Sequence, residues 1–493
     1  MRLDPRMPWL SLGWVAGPLA PLAITALVAR DRLNLQTAIT LGSILVAFAV
    51  ISVIGLLRYA TTRYRVTGER VELRSGLLFR RHRSVPRDRV RSVDLTANPL
   101  HRIFGLTTVK VGTGQNDAEK GFALDGVSRA DALRLRQSLL GRAAPADSAI
   151  AELRPAWIGY ALLSSWSLPL GLAPFGLFFR VLDMFGINPA EVGFLGDLWA
   201  VTMTHPIAVA AVSAGVVLVI GLSCTLLLYI ESWWRFRLTR EPDRTLLVRR
   251  GLLTTRSLSL EERRLRGVEV AEPLPLRWGG GARLNAVATG LAEDDSTALL
   301  PPSPRAEVHR SAAAVLAEAV SPTLMTLRPH PRAALRRRIV HALWPPLVLV
   351  ALFAGLAAWL SRIPDLLWPV GPVLLLTGLS AGLLLARDAY RNLGHGLHGG
   401  YLVTRYGTAR RRTVVLRRSA IIGWTVSRSP FQRRAGLLTL AATTAAGKKA
   451  YKVRDVSVPQ GLAFAEESVP GLLAPFVHRS HGGQDRAGWS SPR

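Results

Sequence analysis

The chain alternates long uncharged apolar runs with segments in which apolar and polar residues alternate. Six apolar runs are each about 21 residues or longer, a helix length that crosses the roughly 30 Å hydrocarbon layer of a bilayer. They fall in three pairs: Trp9–Ala29 with Thr37–Leu57, Pro155–Phe179 with Leu198–Ile230, and Ile339–Ser361 with Leu366–Ala386. The pattern predicts a polytopic α-helical membrane protein with six transmembrane helices, arranged as three hairpins over residues 9–57, 155–230 and 339–386.

The segment after each hairpin has the period-two alternation of β-strands. Each contains a glycine between two strand-like stretches, where a hairpin turn favours a positive φ: Gly76, Gly251 and Gly407. Each segment ends in a stretch with a helical pattern. We therefore expect three β-rich domains, each capped by a C-terminal helix, over residues 58–142, 231–321 and 395–474.

The three domains are copies of one unit. Gly76 and Gly105 recur 175 residues further on as Gly251 and Gly280, and the latter pair recurs after another 156 residues as Gly407 and Gly436. An arginine precedes the second glycine at a fixed distance in every copy: Arg102, Arg277 and Arg433. Such a repeat predicts that the whole chain is hairpin and domain, three times over. The tail at 478–493, rich in Gly, Ser and charge, is predicted to be disordered.

Composition supports a membrane location. Hydrophobic residues make up 49% of the chain and the mean hydropathy is +0.24, which is too apolar for a typical soluble protein of this size. The net charge is +29, and arginines follow each hairpin, whereas the connections inside the hairpins are poor in charge or acidic. Because basic flanks stay on the cytoplasmic side, we expect a multi-pass protein of the cytoplasmic membrane. Both termini and all three domains would face the cytoplasm.

Two copies share a loop, Pro99-Leu100-His101-Arg102-Ile103-Phe104-Gly105-Leu106 and Pro430-Phe431-Gln432-Arg433-Arg434-Ala435-Gly436-Leu437, that resembles the bacterial pleckstrin-homology-like (PH-like) domain of YdbS/YdbT-type membrane proteins. The middle copy keeps Arg277 and Gly280 but shifts its prolines. The resemblance covers nearly the whole chain. It implies PH-like split barrels and a family without an established enzymatic activity.

Repeated arginines are the candidate contact residues. Arginine binds phosphate groups through its planar fork, and domains close to an anionic leaflet would present it to lipid headgroups. The candidates for contact with lipid or a partner are Arg80, Arg81, Arg256, Arg411 and Arg412. For Arg102, Arg277 and Arg433, beside the repeated glycines Gly105, Gly280 and Gly436, a structural role is the favoured interpretation, as it is for Gly76, Gly251 and Gly407.

Catalytic and cofactor signals are weak. His395 and His398 have a spacing that could serve a metal, but no third ligand is evident. The run Gly279-Gly280-Gly281 lacks the ending of a phosphate-binding loop. The sequence predicts no enzyme, no cofactor, no metal and no nucleic acid as a partner.

The predicted function is therefore a non-enzymatic inner-membrane scaffold. Its PH-like domains would contact anionic lipid headgroups or a membrane or cytoplasmic protein, either a paralogue encoded nearby or a second copy of the chain. The alternative is a transporter or lipid-handling protein that uses the six-helix bundle.

Overall fold

The structure is a computed structural model. It describes residues 61–67, 69–75, 81–86, 92–97, 101–102, 104–112, 122–140, 149–163, 167–184, 204–241, 244–289, 297–360 and 370–472, with isolated positions between 39 and 57 and at 201. The predicted tail at 478–493 lies outside these residues, as does most of the predicted first hairpin. The chain divides into two compact units, Met1–Glu262 and Arg263–Arg493.

The first unit contains two antiparallel sheets. Strands β1 (Arg63–Val66), β2 (Arg70–Ser75) and β3 (Arg81–Pro86) form one sheet in that order. The second sheet has the order β6-β5-β4-β10-β9-β8-β7. Its strands are β4 (Ser92–Ala97), β5 (Leu106–Gly112), β6 (Phe122–Ser128), β7 (Ala149–Glu152), β8 (Arg237–Glu241), β9 (Thr245–Arg250) and β10 (Thr255–Glu261). The helices are α1 (Arg129–Leu140), a 3-10 helix (Pro155–Leu163), α2 (Ser167–Met184) and α3 (Pro206–Trp233).

The second unit also has two antiparallel sheets, ordered β13-β12-β11-β16-β15-β14 and β17-β18-β19. The strands are β11 (Leu265–Pro273), β12 (Gly281–Ala288), β13 (Ala298–Pro304), β14 (Gly394–His398), β15 (Tyr401–Tyr406), β16 (Arg410–Arg417), β17 (Gly423–Ser427), β18 (Leu437–Thr443) and β19 (Ala450–Ser457). The helices are α4 (Leu274–Trp278), α5 (Arg305–Leu316), α6 (Arg332–Leu360), α7 (Val370–Arg391), α8 (Pro430–Arg434) and α9 (Val458–Ser468). Single 3-10 turns lie at Glu262–Arg264, Pro322–Leu324 and Arg418–Ala420.

The sheets join neighbouring copies. In each copy the last three strands form a half-sheet. In the first and second copies, an edge of this half-sheet pairs with the first half-sheet of the next copy: β4 with β10, and β11 with β16. Ala97 opposes Thr255 in the first joint. The residues at the same positions of the repeat one copy later are Glu272 and Arg411, and they oppose each other in the second joint. The two joints therefore have the same register. In the described residues, the two half-sheets of one copy are not joined to each other by strand pairing. Pairing removes an open edge that would otherwise leave N–H and C=O groups unpaired.

The third copy shows how the two half-sheets share a core. Leu402, Val414 and Leu416 from the first half-sheet pack with Leu438 and Leu440 from the second, and all five are fully buried. Phe464 of α9 closes the same core. The alternation of apolar residues along each strand therefore produces an inward face on both half-sheets, and the helix covers it as the sequence predicts.

The prediction of six membrane-spanning helices is wrong. Among the described residues, one helix, Ile207–Trp233, is long and apolar enough to cross a membrane by length and composition. The bounds of the helices differ from those of the apolar runs. Residues 155–163 form a short 3-10 helix with Trp157 buried. Helix α6 begins at Arg332, seven residues before the predicted span, and its first turns belong to the packing of the third PH-like copy.

Candidate functional site

A basic cavity of about 690 Å³ lies where helices α6 and α7 meet the third copy. Helix α6 contributes Arg337, Arg338 and His341, while α7 contributes small apolar residues around Ala386. Strand β19 contributes Lys452, Arg454 and Asp455, and the short helix α8 contributes Gln432. Lys452 and Arg454 point to the same side because side chains two residues apart share a face of a strand.

Asp455 organises the floor of the cavity. Its carboxylate is almost fully buried and accepts hydrogen bonds from Arg337 at 2.6 Å, Arg338 at 3.2 Å and the amide nitrogen of Gln432 at 2.8 Å. The residue has a φ of +58°, a backbone conformation that aspartate adopts more readily than most side chains. Gln432 is held in turn by a capping box with Ser429 at the start of α8. These contacts hold the guanidinium groups of Arg337 and Arg338, which reach Asp455 from helix α6.

Positive charge exceeds negative charge in the cavity. Four basic side chains line it: Arg337, Arg338, Lys452 and Arg454. Asp455 is the single carboxylate among its lining residues. Lys452 and Arg454 are exposed, and the Arg454 guanidinium lies 5.1 Å from the ring centre of Tyr406. Burial lowers the pKa of Arg338, and attraction to Asp455 acts against that shift. The field in the cavity therefore favours an anion.

Two N–H donors of the cavity arginines are buried. The Nε atoms of Arg337 and Arg338 are shielded from solvent and have no hydrogen-bond partner in the described part of the chain. A buried N–H without a partner costs free energy. The cations that line the cavity can bind an anion.

Two buried histidines, His330 and His395, form a hydrogen-bonded pair next to Asp455. The Nδ1 of His330 lies 3.2 Å from the backbone oxygen of Asp455, and its Nε2 lies 3.0 Å from Nδ1 of His395. A carbonyl can only accept, so His330 donates from Nδ1 and accepts at Nε2, which makes His395 the donor in the second bond. Burial lowers the pKa of both rings, that of His395 to about 3. Both imidazoles are therefore neutral at physiological pH.

Metal binding finds no support at these histidines. His395 is paired with His330 and not with His398, which is exposed at the end of β14. No group of three or more His, Cys, Asp or Glu side chains with metal-site geometry occurs among the residues that the structure describes.

Arg411 and Arg412, two of the arginines predicted to contact lipid or a partner, are engaged with buried glutamates of the preceding copy. Arg411 binds the carboxylate of Glu272 through two hydrogen bonds, at 2.5 and 2.6 Å, and Arg412 lies 3.6 Å from Glu269. Burial alone would raise the pKa of Glu272, but the Arg411 hydrogen bond and charge hold it below its ordinary value. The pKa of Glu269 is raised by burial, against the attraction of Arg412. These ion pairs lie across the β11–β16 joint between copies.

The other candidates are spread over the first unit. Arg256 is exposed on β10, opposite Thr96 of β4. Arg81 begins β3, and Gly76 and Arg80 lie outside the described residues. Arg256, Arg411 and Arg412 do not line the cavity.

The repeated arginine and glycine form the same turn in every copy. The glycine N–H donates to the arginine carbonyl at 3.1 to 3.2 Å, and φ lies between +65° and +70° at Gly105, Gly280 and Gly436. Each glycine carbonyl then accepts from the first residues of the capping helix, namely Arg129, Arg305 and Val458. The arginine side chains differ: Arg102 donates to the Leu252 carbonyl, Arg277 pairs with Asp388 at 2.6 Å, and Arg433 is exposed.

Sequence reasoning missed the cavity residues. Arg337 and Arg338 directly precede the apolar run that begins at Ile339. Neither they nor Lys452, Arg454 and Asp455 are among the predicted contact residues. The available signal was the alternation of basic residues in Lys452-Val453-Arg454, which places two cations on one strand face. The sequence could not indicate that Arg337 and Arg338 of α6 line the same cavity as Lys452 and Arg454.

These β-rich copies, each closed by a helix and joined through their sheets, define a modular protein built from one small domain type. The model of the bacterial PH domain family matches residues 16–143, 189–319 and 340–468. Because these matches cover most of the sequence, the chain belongs to the bacterial PH domain family. Neither the curated proteins nor the solved structures contain a significant match. Domains of this family are protein or lipid interaction modules.

Proposed function

We propose that this chain is a non-enzymatic, membrane-associated interaction protein of the YdbS/YdbT type, whose third PH-like copy binds anionic lipid headgroups in the basic cavity. The observation that carries the proposal is the excess of cations around Asp455, at the base of two helices with exposed apolar side chains. These side chains include Trp344, Leu352, Leu376 and Leu384.

The geometry suits an amphipathic ligand. Trp344 follows Arg338 by six residues on α6, about 9 Å along the helix axis. A headgroup phosphate held by Arg337, Arg338, Lys452 and Arg454 would therefore leave its acyl chains beside the exposed apolar side chains of α6 and α7. An anion without a tail would gain only the electrostatic part of this contact. The alternative of a transporter or lipid-handling protein depended on a six-helix bundle and is withdrawn with it.

The test is a titration of the detergent-solubilised full chain with short-chain phosphatidylglycerol, with phosphatidylcholine of equal chain length as the comparison. We expect a clear preference for phosphatidylglycerol that weakens with salt. The double substitution Lys452→Gln with Arg454→Gln removes two exposed cations and leaves the Asp455 ion pairs intact. At about 1 kcal/mol per cation it should weaken binding about thirtyfold.

The matched control is Arg391→Gln with Lys449→Gln, two exposed cations that do not line the cavity. It should leave the affinity unchanged. Equal binding of the two lipids, or equal loss in the test and control variants, would rule the proposal out. Inorganic phosphate as a competitor separates headgroup binding from simple phosphate binding.

A further inference from the structure

Two half-sheets have no neighbouring half-sheet among the residues that the structure describes. The first and second copies each pair their fourth strand with the third strand of the next copy, as in β4 with β10 and β11 with β16. Strand β3 is the third strand of the first copy, and β17 is the fourth strand of the third copy. In the described part of the chain, β3 therefore ends one three-stranded sheet and β17 ends the other.

Side chains on these two edge strands are more exposed to solvent than those at the same positions of the paired strands. Ser84 of β3 is exposed, whereas the residues at its position in the other copies, Ser259 and Val415, are 2% and 0% exposed. Thr425 of β17 is exposed, whereas Glu269, at its position in β11, is 5% exposed. Trp424 and Val426, on the opposite face of β17, pack on the core of the third copy. The strand is thus ordered by its own domain and open along its edge.

We infer that β17 of one chain pairs with β3 of a second copy of this chain, through the same antiparallel joint that links the copies internally. The repeat supplies the register. Glu269 opposes Val414 in the β11–β16 joint, and the residues at the corresponding positions are Thr425 and Arg83. Likewise Trp424 would oppose Ser84, and Val426 would oppose His82. Within the ladder, no residue of β17 places a positive charge opposite the basic residues of β3.

The pairing is head-to-tail, since it joins different surfaces of the two chains. Such an interface closes into a ring or extends as a filament, depending on the rotation between subunits. A second copy is the occupant that the geometry favours, because the equivalent edges of neighbouring copies pair with each other in both internal joints. The inference does not depend on headgroup binding, because the cavity and the edge are tested by different substitutions.

The test is disulfide cross-linking in the full chain with Cys224 replaced by serine. One tagged chain carries Thr425→Cys and a differently tagged chain carries Arg83→Cys. Directly opposed residues have Cα atoms about 4.5 to 5.5 Å apart, within reach of a disulfide. Mild oxidation of the mixture should give a heterodimer of about twice the 53.6 kDa chain mass, and a chain with both cysteines should give a ladder of oligomers.

The register control pairs Thr425→Cys with Arg81→Cys, two positions away, where the Cα separation exceeds disulfide reach. The matched pair should cross-link at least about tenfold faster than this offset pair. Equal rates for the two pairs, or a doubly substituted chain that cross-links only within itself at monomer mass, would overturn the inference.

A non-covalent measurement gives an independent readout. Thr425→Arg would place a like charge opposite Arg83 and should weaken concentration-dependent association, followed by mass photometry, about tenfold. Ala463→Arg adds the same charge at an exposed position on α9 and should leave association unchanged. Association that is equally strong in both variants would contradict the proposed edge.

Discussion

At the scale of single residues, the third copy depends on polar groups that are buried and paired. Asp455 forms ion pairs with Arg337 and Arg338, and its backbone oxygen fixes the tautomer of His330, which in turn orients His395. Nε2 of His395 has no hydrogen-bond partner in the described residues, and its ring lies 4.6 Å from that of Phe464. A proton added to this pair would have to be accommodated in an apolar environment.

Stability should therefore fall in mild acid. In the unfolded chain the histidines titrate near 6.5, whereas burial lowers the pKa of folded His395 to about 3. The unfolded state binds more protons between these values, so the free energy of unfolding decreases as the pH drops through 6.5 and continues to decrease towards 3. At pH 5 the contribution of His395 is roughly 2 kcal/mol.

The measurement is thermal unfolding of the full chain at pH 7.5 and pH 5. His395→Asn should be less stable overall but should show a smaller difference between the two pH values. His398→Asn, at an exposed histidine in the same strand, should retain the full difference. An undiminished pH dependence in His395→Asn would show that other groups cause it.

At the scale of elements, the glycine turns that the repeat revealed have a steric explanation. Gly251 and Gly407 have φ values of +112° and +109°. A Cβ atom on Gly407 would lie 2.1 Å from the backbone oxygen of Arg410, and one on Gly251 would lie 1.9 Å from that of Thr254. Only glycine fits a turn in which the chain folds back so closely before β10 and β16.

Gly407→Ala should accordingly lower the free energy of unfolding by about 1 to 3 kcal/mol, because both the backbone conformation and the contact become unfavourable. Gly400→Ala is the matched control, since a Cβ there meets no atom within 4 Å and φ is not positive. Chemical denaturation of both variants measures the difference. Equal stabilities would mean that the turn can rearrange without cost.

At the scale of the whole molecule, the boundary between compact units runs through the second sequence repeat. The second unit begins at Arg263, so that it contains the last half-sheet of the second copy together with the third copy. The joint within it is buried: Val268 opposes Val415, and both are 0% exposed. The ion pairs of Glu269 and Glu272 complete the joint.

A cut at the structural boundary should therefore be tolerated better than a cut at the boundary of the repeat. We expect a fragment of residues 263–493 to unfold in one cooperative transition. A fragment of residues 322–493 lacks β11 and uncovers apolar side chains such as Val415, each worth about 1.5 to 3 kcal/mol when buried. Thermal scans of the two fragments measure this, and equal stability would show that the joint contributes little.

The sequence by itself determined the repeat, the strands and turns of each copy, and the helix that closes it, because these follow from local periodicity and from glycine stereochemistry. Gly251, Gly407 and the second glycine of each copy lie in turns with positive φ. Tertiary structure decided which edges pair, because two copies of one half-sheet have equal local preferences and only their spatial arrangement selects a partner. It also decided that Arg411 belongs to a buried ion pair with Glu272, while Arg337 and Arg338 meet Lys452 and Arg454 around a cavity. Charges far apart in sequence come together only when the chain folds, and a net charge of +29 does not indicate which of them will meet.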